Sequence, residues 1–265
     1  MRLDGKVAVI TGAAGGIGSA LARRFAAEGA AGVVLSDVDH EGASAIAADI
    51  VASGGKATAI AADVADEAAV AELVAASERA FGSIDLFCSN AGIASGSGLD
   101  ASPEDWSRSW SVNVLAHAHA AKAVLPSMIE RGTGYLLQTV SAAGLLSTPG
   151  DAPYTATKHA ALGLAEWLSM TYGNLGIKVS VLCPMGVRTN MLMPGVEAGH
   201  PSAVRIAAMA PIVEPAQVAE DVVKGIDEER FLILPHPEVG VMYAKKAADP
   251  DRWLASMQRH YGEQP

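Results

Sequence analysis

Short apolar runs rich in β-branched residues alternate along this chain with longer alanine-rich stretches. The runs have the length of buried strands, whereas the stretches between them have the composition of helices. Strands that alternate with helices in this way are typical of an α/β fold built on a doubly wound parallel sheet. Seven strands are predicted, at residues 6–11, 32–36, 57–61, 84–88, 134–140, 177–182 and 231–234.

Two helices have clear signals in the sequence. An apolar stripe from Ile17 to Phe25 recurs at helical spacing and predicts a helix over residues 16–29, where the last glycine acts as a stop. A long helix is predicted from Ser102 towards Arg131. It begins with a serine cap, a proline in the first turn and two acidic residues near the positive helix end.

The region after the sixth predicted strand is irregular. Proline and glycine punctuate an apolar sequence that contains Met191, Met193 and Met209. Long ordered connections in compact domains are usually functional, so we predict a substrate lid built on short helices at about residues 185–215. The alternative is an ordinary surface connection.

Composition and charge limit the functions that this chain can have. Half of the 265 residues are hydrophobic and nothing marks a second domain, so one domain is expected over residues 1–265. A formal net charge of -10 and a pI near 5.1 argue against nucleic acid and against a polybasic membrane anchor, because polyanions would repel the chain. The first residues contain no apolar run of signal-peptide or membrane-spanning length. We therefore expect a cytoplasmic protein that acts on small molecules.

Disulfide and metal chemistry are not expected. Cys88 and Cys183 are too few for a disulfide framework or a structural zinc site, and both have the character of small buried hydrophobes. His117, His119 and His159 point in different directions from their helices and do not form a ligand set. We predict no metal site and interpret these histidines as solvated or interface residues.

Residues suited to ligand binding collect where the predicted strands end. In an open parallel sheet, ligands bind outside the carboxyl ends of the strands, where the connections diverge. Scattered structural residues would not be expected to gather there, so a ligand site is predicted at this rim. In chain order, the strand ends carry Gly12, Asp37, Asp63, Asn90, Ser141 and Pro184.

The first strand ends in a glycine-rich turn. Gly12, Gly16 and Gly18 follow this strand and open a helix. The backbone can therefore turn sharply and present free amides and the positive helix end to a phosphate. The spacing is one residue longer than the fingerprint of other dinucleotide folds, and a merely tight turn is the alternative.

Asp37 indicates which dinucleotide would bind. It lies at the end of the second strand, 19 residues after Gly18. A carboxylate there can accept both hydroxyls of an adenosine ribose but would repel a 2′-phosphate, so NAD is predicted over NADP. The alternative for Asp37 is a solvated turn aspartate. Asp63, which precedes Val64, could reach the adenine amino group or cap the next helix, and the sequence leaves both open.

Tyr154 and Lys158 lie four residues apart in a stretch that is predicted to be helical, and Ser141 lies 13 residues before Tyr154. Residues at this spacing share a helix face, so the ammonium can favour the phenolate and lower a tyrosine pKa that is otherwise about 10. We expect Tyr154 to exchange a proton with an alcohol or ketone while Ser141 donates a hydrogen bond to the same oxygen. The alternatives are a surface Tyr and Lys pair and a serine that caps a turn.

Taken together, these motifs resemble the short-chain dehydrogenase/reductase family in its single-domain branch. The resemblance implies a Rossmann-type sheet of strand order 3-2-1-4-5-6-7 and an NAD-dependent alcohol dehydrogenase or ketone reductase. It also implies homodimers or homotetramers that pair through the helices holding Asn113 and Tyr154. It covers residues 5 to about 190 and rests on residues 11–18, the Asn90 to Gly92 triplet, Asn113, Ser141 and residues 154–158.

The resemblance also implies roles for individual residues. The catalytic residues would be Asn113, Ser141, Tyr154 and Lys158, with Asn113 binding a water that links Lys158 to solvent. The substrate contacts would be Ser141, Ala142, Tyr154, Met185 and Met191. The cofactor-binding residues would be Gly12, Gly15, Gly16, Ile17, Gly18, Asp37, Asp63, Val64, Asn90, Ala91, Gly92, Tyr154, Lys158, Pro184, Gly186, Val187 and Thr189.

One stretch departs from the family pattern. The family has Pro-Gly-x-x-x-Thr after the sixth strand, whereas here Met185 follows Pro184 and the glycine is displaced to Gly186. This departure leaves open how closely the backbone approaches the nicotinamide. Thr189 is still expected to reach the pyrophosphate, and Val187 to bond the carboxamide through its backbone.

The expected reaction interconverts a secondary alcohol and a ketone on an apolar substrate of hydroxysteroid, aryl carbinol or 3-hydroxyacyl type. Two alternatives remain: the same fold reducing an activated double bond or dehydrating its substrate, and a non-catalytic NAD-binding regulator. The tail from Arg230 to Pro265 could cover a neighbour's site or cap its own core. Besides the lid methionines, the residues expected to line the pocket are Ala94, Ala142, Ala143 and Leu145.

Overall fold

The computed structural model describes residues 1–148 and 150–261, except for the side chains of residues 201 and 261. The predicted domain and its tail extend to Pro265, so their last four residues lie outside this part of the chain.

A parallel sheet forms the centre of the described chain. Its strands are β1 (Val7–Thr11), β2 (Gly32–Asp37), β3 (Ala57–Ala61), β4 (Leu86–Ser89), β5 (Gly134–Thr139), β6 (Ile177–Leu182) and β7 (Leu232–Ile233). Across the described residues these seven strands lie in the order β3-β2-β1-β4-β5-β6-β7, and every neighbouring pair is parallel. The predicted strand order and Rossmann-type fold are confirmed.

Helices connect the strands and cover both faces of the sheet. A π-helical turn (Ser111–Leu115) joins the fourth helix to the fifth, and a 3-10 turn (Gly173–Leu175) follows the seventh. Among the described residues, none of the helices is both long and apolar enough to cross a membrane. The helices are α1 (Gly16–Ala27), α2 (His40–Ala52), α3 (Glu67–Phe81), α4 (Pro103–Trp110), α5 (Ala116–Glu130), α6 (Ala143–Leu146), α7 (Ala152–Tyr172), α8 (Met193–Glu197), α9 (Pro201–Met209), α10 (Pro215–Asp227), α11 (Pro237–Ala248) and α12 (Pro250–Tyr261).

Two hydrophobic cores form because the central strands are buried on both faces. In β1, Val9 packs into the core under α3, α5 and α7, whereas Ala8 and Ile10 pack into the core under α1, α2 and α10. Successive side chains of a strand point to opposite faces, so a central strand needs a continuous apolar run rather than an alternating one. The parallel register brings the strand ends to one rim: Thr11 pairs with Ser36, and Thr139 with Leu182.

The long helix predicted from Ser102 forms, but it contains a π turn in its middle. Its start is confirmed, because the Ser102 hydroxyl accepts the backbone N–H of Asp105 while the Asp105 carboxylate accepts the backbone N–H of Ser102. The helix continues through α4, the π turn and α5 to Glu130. π turns inside α-helices frequently occur at functional sites, and this one contains Asn113.

The irregular region after β6 contains the short helices that were predicted, α8 and α9. Its role as a lid stays a prediction. The tail folds as α11 and α12, and Trp253 is buried in the core of its own chain, with Tyr243 and Met257 packed against that core. This packing favours the expectation that the tail caps its own core.

Candidate active site

Tyr154 and Lys158 lie in the first turns of α7, on one face of the helix. Asp151 caps this helix by accepting the backbone N–H of Tyr154 at 2.9 Å. Lys158 is 2% exposed, and its ammonium donates to the carbonyl oxygen of Thr139 at 2.9 Å and lies 5.5 Å from the centre of the Tyr154 ring. The structure therefore brings the predicted tyrosine and lysine together at the end of β5.

Ser141 leaves β5 in a backbone conformation that L-residues rarely adopt, with φ at +96°. Its backbone N–H donates to the carbonyl oxygen of Leu182 at 3.1 Å, and its hydroxyl accepts the N–H of Ala143 at 3.2 Å. The Ser141 hydroxyl also lies 3.5 Å from the carbonyl oxygen of Pro184, and the Ser141 side chain acts to lower the pKa of Tyr154. Strain of this kind clusters at active sites and persists where surrounding contacts hold it.

The pKa of Tyr154 differs from the sequence-based expectation. Burial raises this pKa above its usual value, and the negative charge of Asp151 raises it further, against the opposing effect of the Ser141 side chain. Burial also lowers the pKa of Lys158, to about 8. A dry environment disfavours the charged forms of both groups. The Lys158 charge by itself therefore does not give Tyr154 a low pKa in this structure.

Asn113 is fully buried in the π turn, and both polar atoms of its side chain have protein partners. Its Oδ1 accepts the N–H of Ile93 at 2.9 Å, while Nδ2 donates to the carbonyl oxygen of Ile93 and to the hydroxyl of Thr157. Asn113 thus joins the segment after β4 to α7, beside Gly92 and the Lys158 ammonium. The predicted water relay stays a prediction.

The glycine turn before α1 has the geometry of an anion-binding loop. Gly12 and Gly16 have φ of +65° and +53°, which favours glycine at both positions. A Cβ at Gly18 would lie 2.1 Å from the carbonyl oxygen of Gly12, so the helix packs too closely for any side chain there. Gly15 is the N-cap, and α1 starts without a capping side-chain hydrogen bond. The amides at its positive end thus suit a phosphate.

Asp37 lies beside this turn and is held in place by backbone groups. One carboxylate oxygen accepts the N–H of Ala14 at 3.0 Å, and the other accepts the N–H of Asp39 at 3.1 Å. The residue is half-buried rather than solvated. Each carboxylate oxygen can accept a second hydrogen bond, so Asp37 keeps acceptor capacity for a ribose.

Asp63 does not cap the following helix, so that alternative is wrong. Asp66 is the N-cap of α3 and accepts the N–H groups of Ala68 and Ala69. Asp63 instead accepts the N–H of Ala65 at 2.9 Å in the preceding turn and is exposed to solvent, next to the buried Val64. Its predicted contact with adenine stays a prediction.

The Asn90 side chain joins three strands at the middle of the rim. Its Nδ2 donates to the carbonyl oxygens of Thr11 and Gly12, and its Oδ1 accepts the hydroxyl of Thr139. The Thr11 hydroxyl in turn accepts the N–H groups of Asn90 and Ala91. This network fixes the floor between the glycine turn and the residues around Lys158.

The segment after β6 brings Thr189 to the glycine turn. A Cβ added at Gly16 would lie only 3.1 Å from the methyl carbon of Thr189. Thr189 and Gly16 line one cleft at the start of α1. Val187 is buried and forms a parallel bridge with Val213. The predicted pyrophosphate contacts therefore lie together.

The residues predicted to contact substrate differ in exposure. Met185 is half-buried against the core, and Met191 is 53% exposed. Ala142 is buried next to Ser141. Leu145 is fully buried in the core, so the expectation that it lines an open pocket is wrong.

His117 is buried rather than solvated, so its predicted environment is wrong. Neither ring nitrogen has a hydrogen-bond partner among the described residues, and burial lowers the pKa of His117 to about 3. His119 and His159 are half-buried and lie near backbone carbonyl oxygens. In residues 1–148 and 150–261, no cluster of three or more His, Cys, Asp or Glu side chains could hold a metal. Cys88 and Cys183 are free cysteines, and their predicted burial is confirmed.

Sequence reasoning missed Asp151 as a functional residue. Besides capping the helix of Tyr154, its carboxylate accepts the N–H of Gly96 and the hydroxyl of Ser95, and so anchors the loop after β4. An aspartate before an Ala-Pro helix start is a recognisable cap signal. Its contacts with Ser95 and Gly96 could not be predicted from the sequence around Asp151, because these residues are distant in the chain.

Comparison with known proteins places this chain among oxidoreductases. It is 35% identical to the oxidoreductase UcpA of Escherichia coli K12 over 260 residues, which cover 97% of this chain and 93% of the relative. It is 39% identical to 1-deoxy-11-beta-hydroxypentalenate dehydrogenase of Streptomyces exfoliatus, over 72% of this chain and 71% of the relative. It is 38% identical to 2,5-dichloro-2,5-cyclohexadiene-1,4-diol dehydrogenase LinX of Sphingobium indicum, over 71% of this chain and 75% of the relative.

Solved structures agree with this relationship. A short chain dehydrogenase/reductase from Burkholderia phymatum, crystallised in complex with NAD, superposes with a TM-score of 0.86 at 33% identity, over 95% of this chain and 96% of that one. Levodione reductase superposes with a TM-score of 0.82 at 29% identity, over 88% and 96% of the two chains. The family model for short chain dehydrogenase matches residues 6–198. This protein therefore belongs to the short-chain dehydrogenase/reductase family.

Proposed function

We propose that this chain is an NAD-dependent oxidoreductase that interconverts a secondary alcohol and a ketone on an apolar substrate. The observation that carries the proposal is the arrangement of Ser141, Tyr154 and Lys158 at the carboxyl rim, next to a glycine turn suited to phosphate. The Ser141 side chain acts to lower the pKa of Tyr154, and the Lys158 ammonium lies 5.5 Å from the centre of the tyrosine ring. A surface pair would not combine burial, a strained serine and a phosphate site.

In alcohol oxidation, the chain must remove the hydroxyl proton as the carbon gives up a hydride. We assign the proton to the Tyr154 phenolate, with the Ser141 hydroxyl donating a hydrogen bond to the substrate oxygen and holding it within reach. In ketone reduction, Tyr154 returns its proton to the oxygen that becomes the alcohol. Lys158 favours the charged form of the tyrosine in either direction.

The residues present fit a dinucleotide. The uncapped start of α1 would hold the pyrophosphate together with Thr189, and Asp37 would hold the adenosine ribose. When bound, NAD supplies the acceptor for the hydride, and NADH the donor. Asp37 favours NAD, because its charge would repel a 2′-phosphate.

A cyclic secondary alcohol is the proposed substrate class. Two relatives are named as dehydrogenases of a hydroxypentalenate and of a cyclohexadienediol, both of which are hydroxylated ring compounds. Met185 packs against the core directly after Pro184, whose carbonyl oxygen lies 3.5 Å from the Ser141 hydroxyl, and Met191 is exposed in the same segment. Methionine side chains adapt to many shapes, which suits a ring of moderate size. A hydroxysteroid or a compact alicyclic alcohol would fit this description.

The proposal is tested by an oxidation screen of cyclic secondary alcohols with NAD and with NADP. Turnover is expected with NAD, and Asp37→Ala should reduce the preference for NAD over NADP by at least about tenfold, because it removes both the ribose acceptor and the repulsive charge. Asp39→Ala is the matched control, since Asp39 caps α2 and should not alter the preference. Turnover only on an activated double bond, a dehydration, or binding of NAD without any turnover would contradict the proposal.

We also propose a homodimer or homotetramer. Large apolar side chains are exposed on the outer face of α4, the π turn and α7, namely Trp110, Leu115, Trp167 and Met170. Exposed apolar surface of this extent marks interaction sites. Sedimentation velocity should find an assembly that Trp167→Glu weakens, whereas a monomeric wild type would contradict this part of the proposal.

A further inference from the structure

His236 lies between β7 and α11 and is 1% exposed. Its Nδ1 accepts the backbone N–H of Met185 at 3.1 Å. Its Nε2 lies 3.1 Å from the carbonyl oxygens of both Gly186 and Pro211. Because an amide N–H only donates and a carbonyl only accepts, these contacts assign the neutral imidazole with its proton on Nε2.

These bonds join both ends of the lid segment, residues 185–215. The carbonyl oxygen of Gly186 also accepts the N–H of Val213 at 3.0 Å, and the N–H of Arg188 donates to the carbonyl oxygen of Val213 at 2.9 Å. His236 adds Pro211 to the same cluster. One buried ring thus holds the exit of β6, the return of the lid segment and the start of α11 in a single arrangement.

The position of Met185 makes this ring relevant to the cofactor. Met185 stands where the family pattern has glycine, directly before the backbone expected to meet the nicotinamide. A buried backbone N–H needs a partner, and here that partner is the imidazole. Two of the three His236 contacts fall on Met185 and Gly186, which immediately precede Val187.

We propose that His236 is a positioning residue that fixes the Met185–Gly186 backbone for the nicotinamide end of the cofactor and couples it to the far end of the lid segment. The proposal rests on the NAD-dependent function proposed above. It assigns His236 no contact with cofactor or substrate, and its effect passes through the backbone that it holds.

Two conservative variants separate the bond that Nδ1 accepts from Met185 from the bonds that Nε2 donates to Gly186 and Pro211. Asparagine can place its Oδ1 near the position of Nδ1, so His236→Asn retains the acceptor for Met185. Glutamine can place its amide nitrogen near the position of Nε2, so His236→Gln retains the donor for Gly186 and Pro211. His236→Ala removes both.

Ser180→Ala is the matched control. Ser180 is fully buried in β6, hydrogen-bonds Tyr135 and donates to the carbonyl oxygen of Arg230. Ser180 therefore ties β6 to the segment before β7, away from the rim. His236 instead ties the segment after β6 to the segment after β7, at the rim. Loss of the Ser180 hydroxyl should lower the melting temperature without changing cofactor affinity.

The measurements are the dissociation constants of NADH and of ADP-ribose, which lacks the nicotinamide, together with the KM of the best alcohol. His236→Ala should weaken NADH about tenfold and leave ADP-ribose within about twofold, because only the nicotinamide end depends on Met185. His236→Asn should restore most of the NADH affinity. His236→Gln should restore the alcohol KM more than the NADH affinity, because it keeps the bond to Pro211.

Equal weakening of NADH and ADP-ribose would overturn the proposal, as would unchanged NADH affinity with a loss of stability like that of Ser180→Ala. If His236→Ala does not fold, the Asn and Gln variants decide the matter, and identical NADH affinities in those two would overturn it. A wild-type protein that binds neither NADH nor ADP-ribose would instead refute the proposed function itself.

Discussion

The start of α7 and the lid segment lie at the same rim of the sheet but are built differently. Around Tyr154, side chains are buried and linked through the Thr139 carbonyl and the Asp151 cap. The lid segment is held at its ends, whereas Met191 between them is half exposed. Lys158 and the start of α7 are thus fixed by hydrogen bonds to the end of β5 and to the helix cap. The proposed substrate wall, formed by Met185 and Met191, instead consists of adaptable apolar side chains.

This difference separates two kinds of inference. The chemistry follows from the fixed region, because proton transfer needs a small set of groups at defined positions. Substrate choice follows from the adaptable region, because methionine side chains accommodate many shapes. Substitutions in the first region should change rate constants, and substitutions in the second should change the KM of the alcohol.

Among substitutions of residues that support the reacting phenol or the lid segment, Lys158→Met should have the largest effect. It removes the cation beside the phenol and should reduce the rate constant of alcohol oxidation by at least about 100-fold. Lys246→Met is the control, because the Lys246 ammonium also donates to a backbone carbonyl, that of Leu145 at 2.7 Å. Steady-state kinetics in which both variants lose equal activity would contradict a specific role for Lys158.

Asp151→Asn should move the pH profile of oxidation to lower pH. The Asp151 charge raises the pKa of Tyr154, so its removal lowers that pKa and gives the phenolate at a lower pH. Asparagine is also a good helix cap, so α7 should persist. The control is Asp66→Asn, the corresponding change at the cap of α3, which should leave the profile unchanged. A shift to higher pH in Asp151→Asn would contradict the assignment.

Met191→Ala should have the smallest effect. Since the side chain is half exposed, the alcohol KM should rise only about two- to fivefold, with little change in the rate constant or in the melting temperature. Leu254→Ala on α12 has a similar exposure and serves as the control, with no change in KM expected. Equal KM values for the two variants would remove Met191 from the substrate wall.

Features carried by local sequence could be predicted. The strands follow from apolar runs, and the Ser102 helix start from its capping box. The pairing of Tyr154 with Lys158 follows from helical spacing alone. The placement of the reacting groups at one rim follows from the parallel sheet.

Features that depend on distant partners could not be predicted. The π turn is stabilised where Asn113 bonds Ile93 and Thr157, which lie in other parts of the chain. His117 is buried because α5 packs on the sheet, and periodicity does not say how closely. The raised pKa of Tyr154 likewise reflects burial by the whole fold.

Tyr154→Phe tests the central claim most directly, because it removes one hydroxyl and keeps the ring. The rate constant of NAD-dependent oxidation should fall by about 10³-fold, while the dissociation constant of NADH stays within about twofold of the wild-type value. A variant that oxidises the alcohol at a rate near that of the wild type would contradict the assignment of the phenol as the proton acceptor.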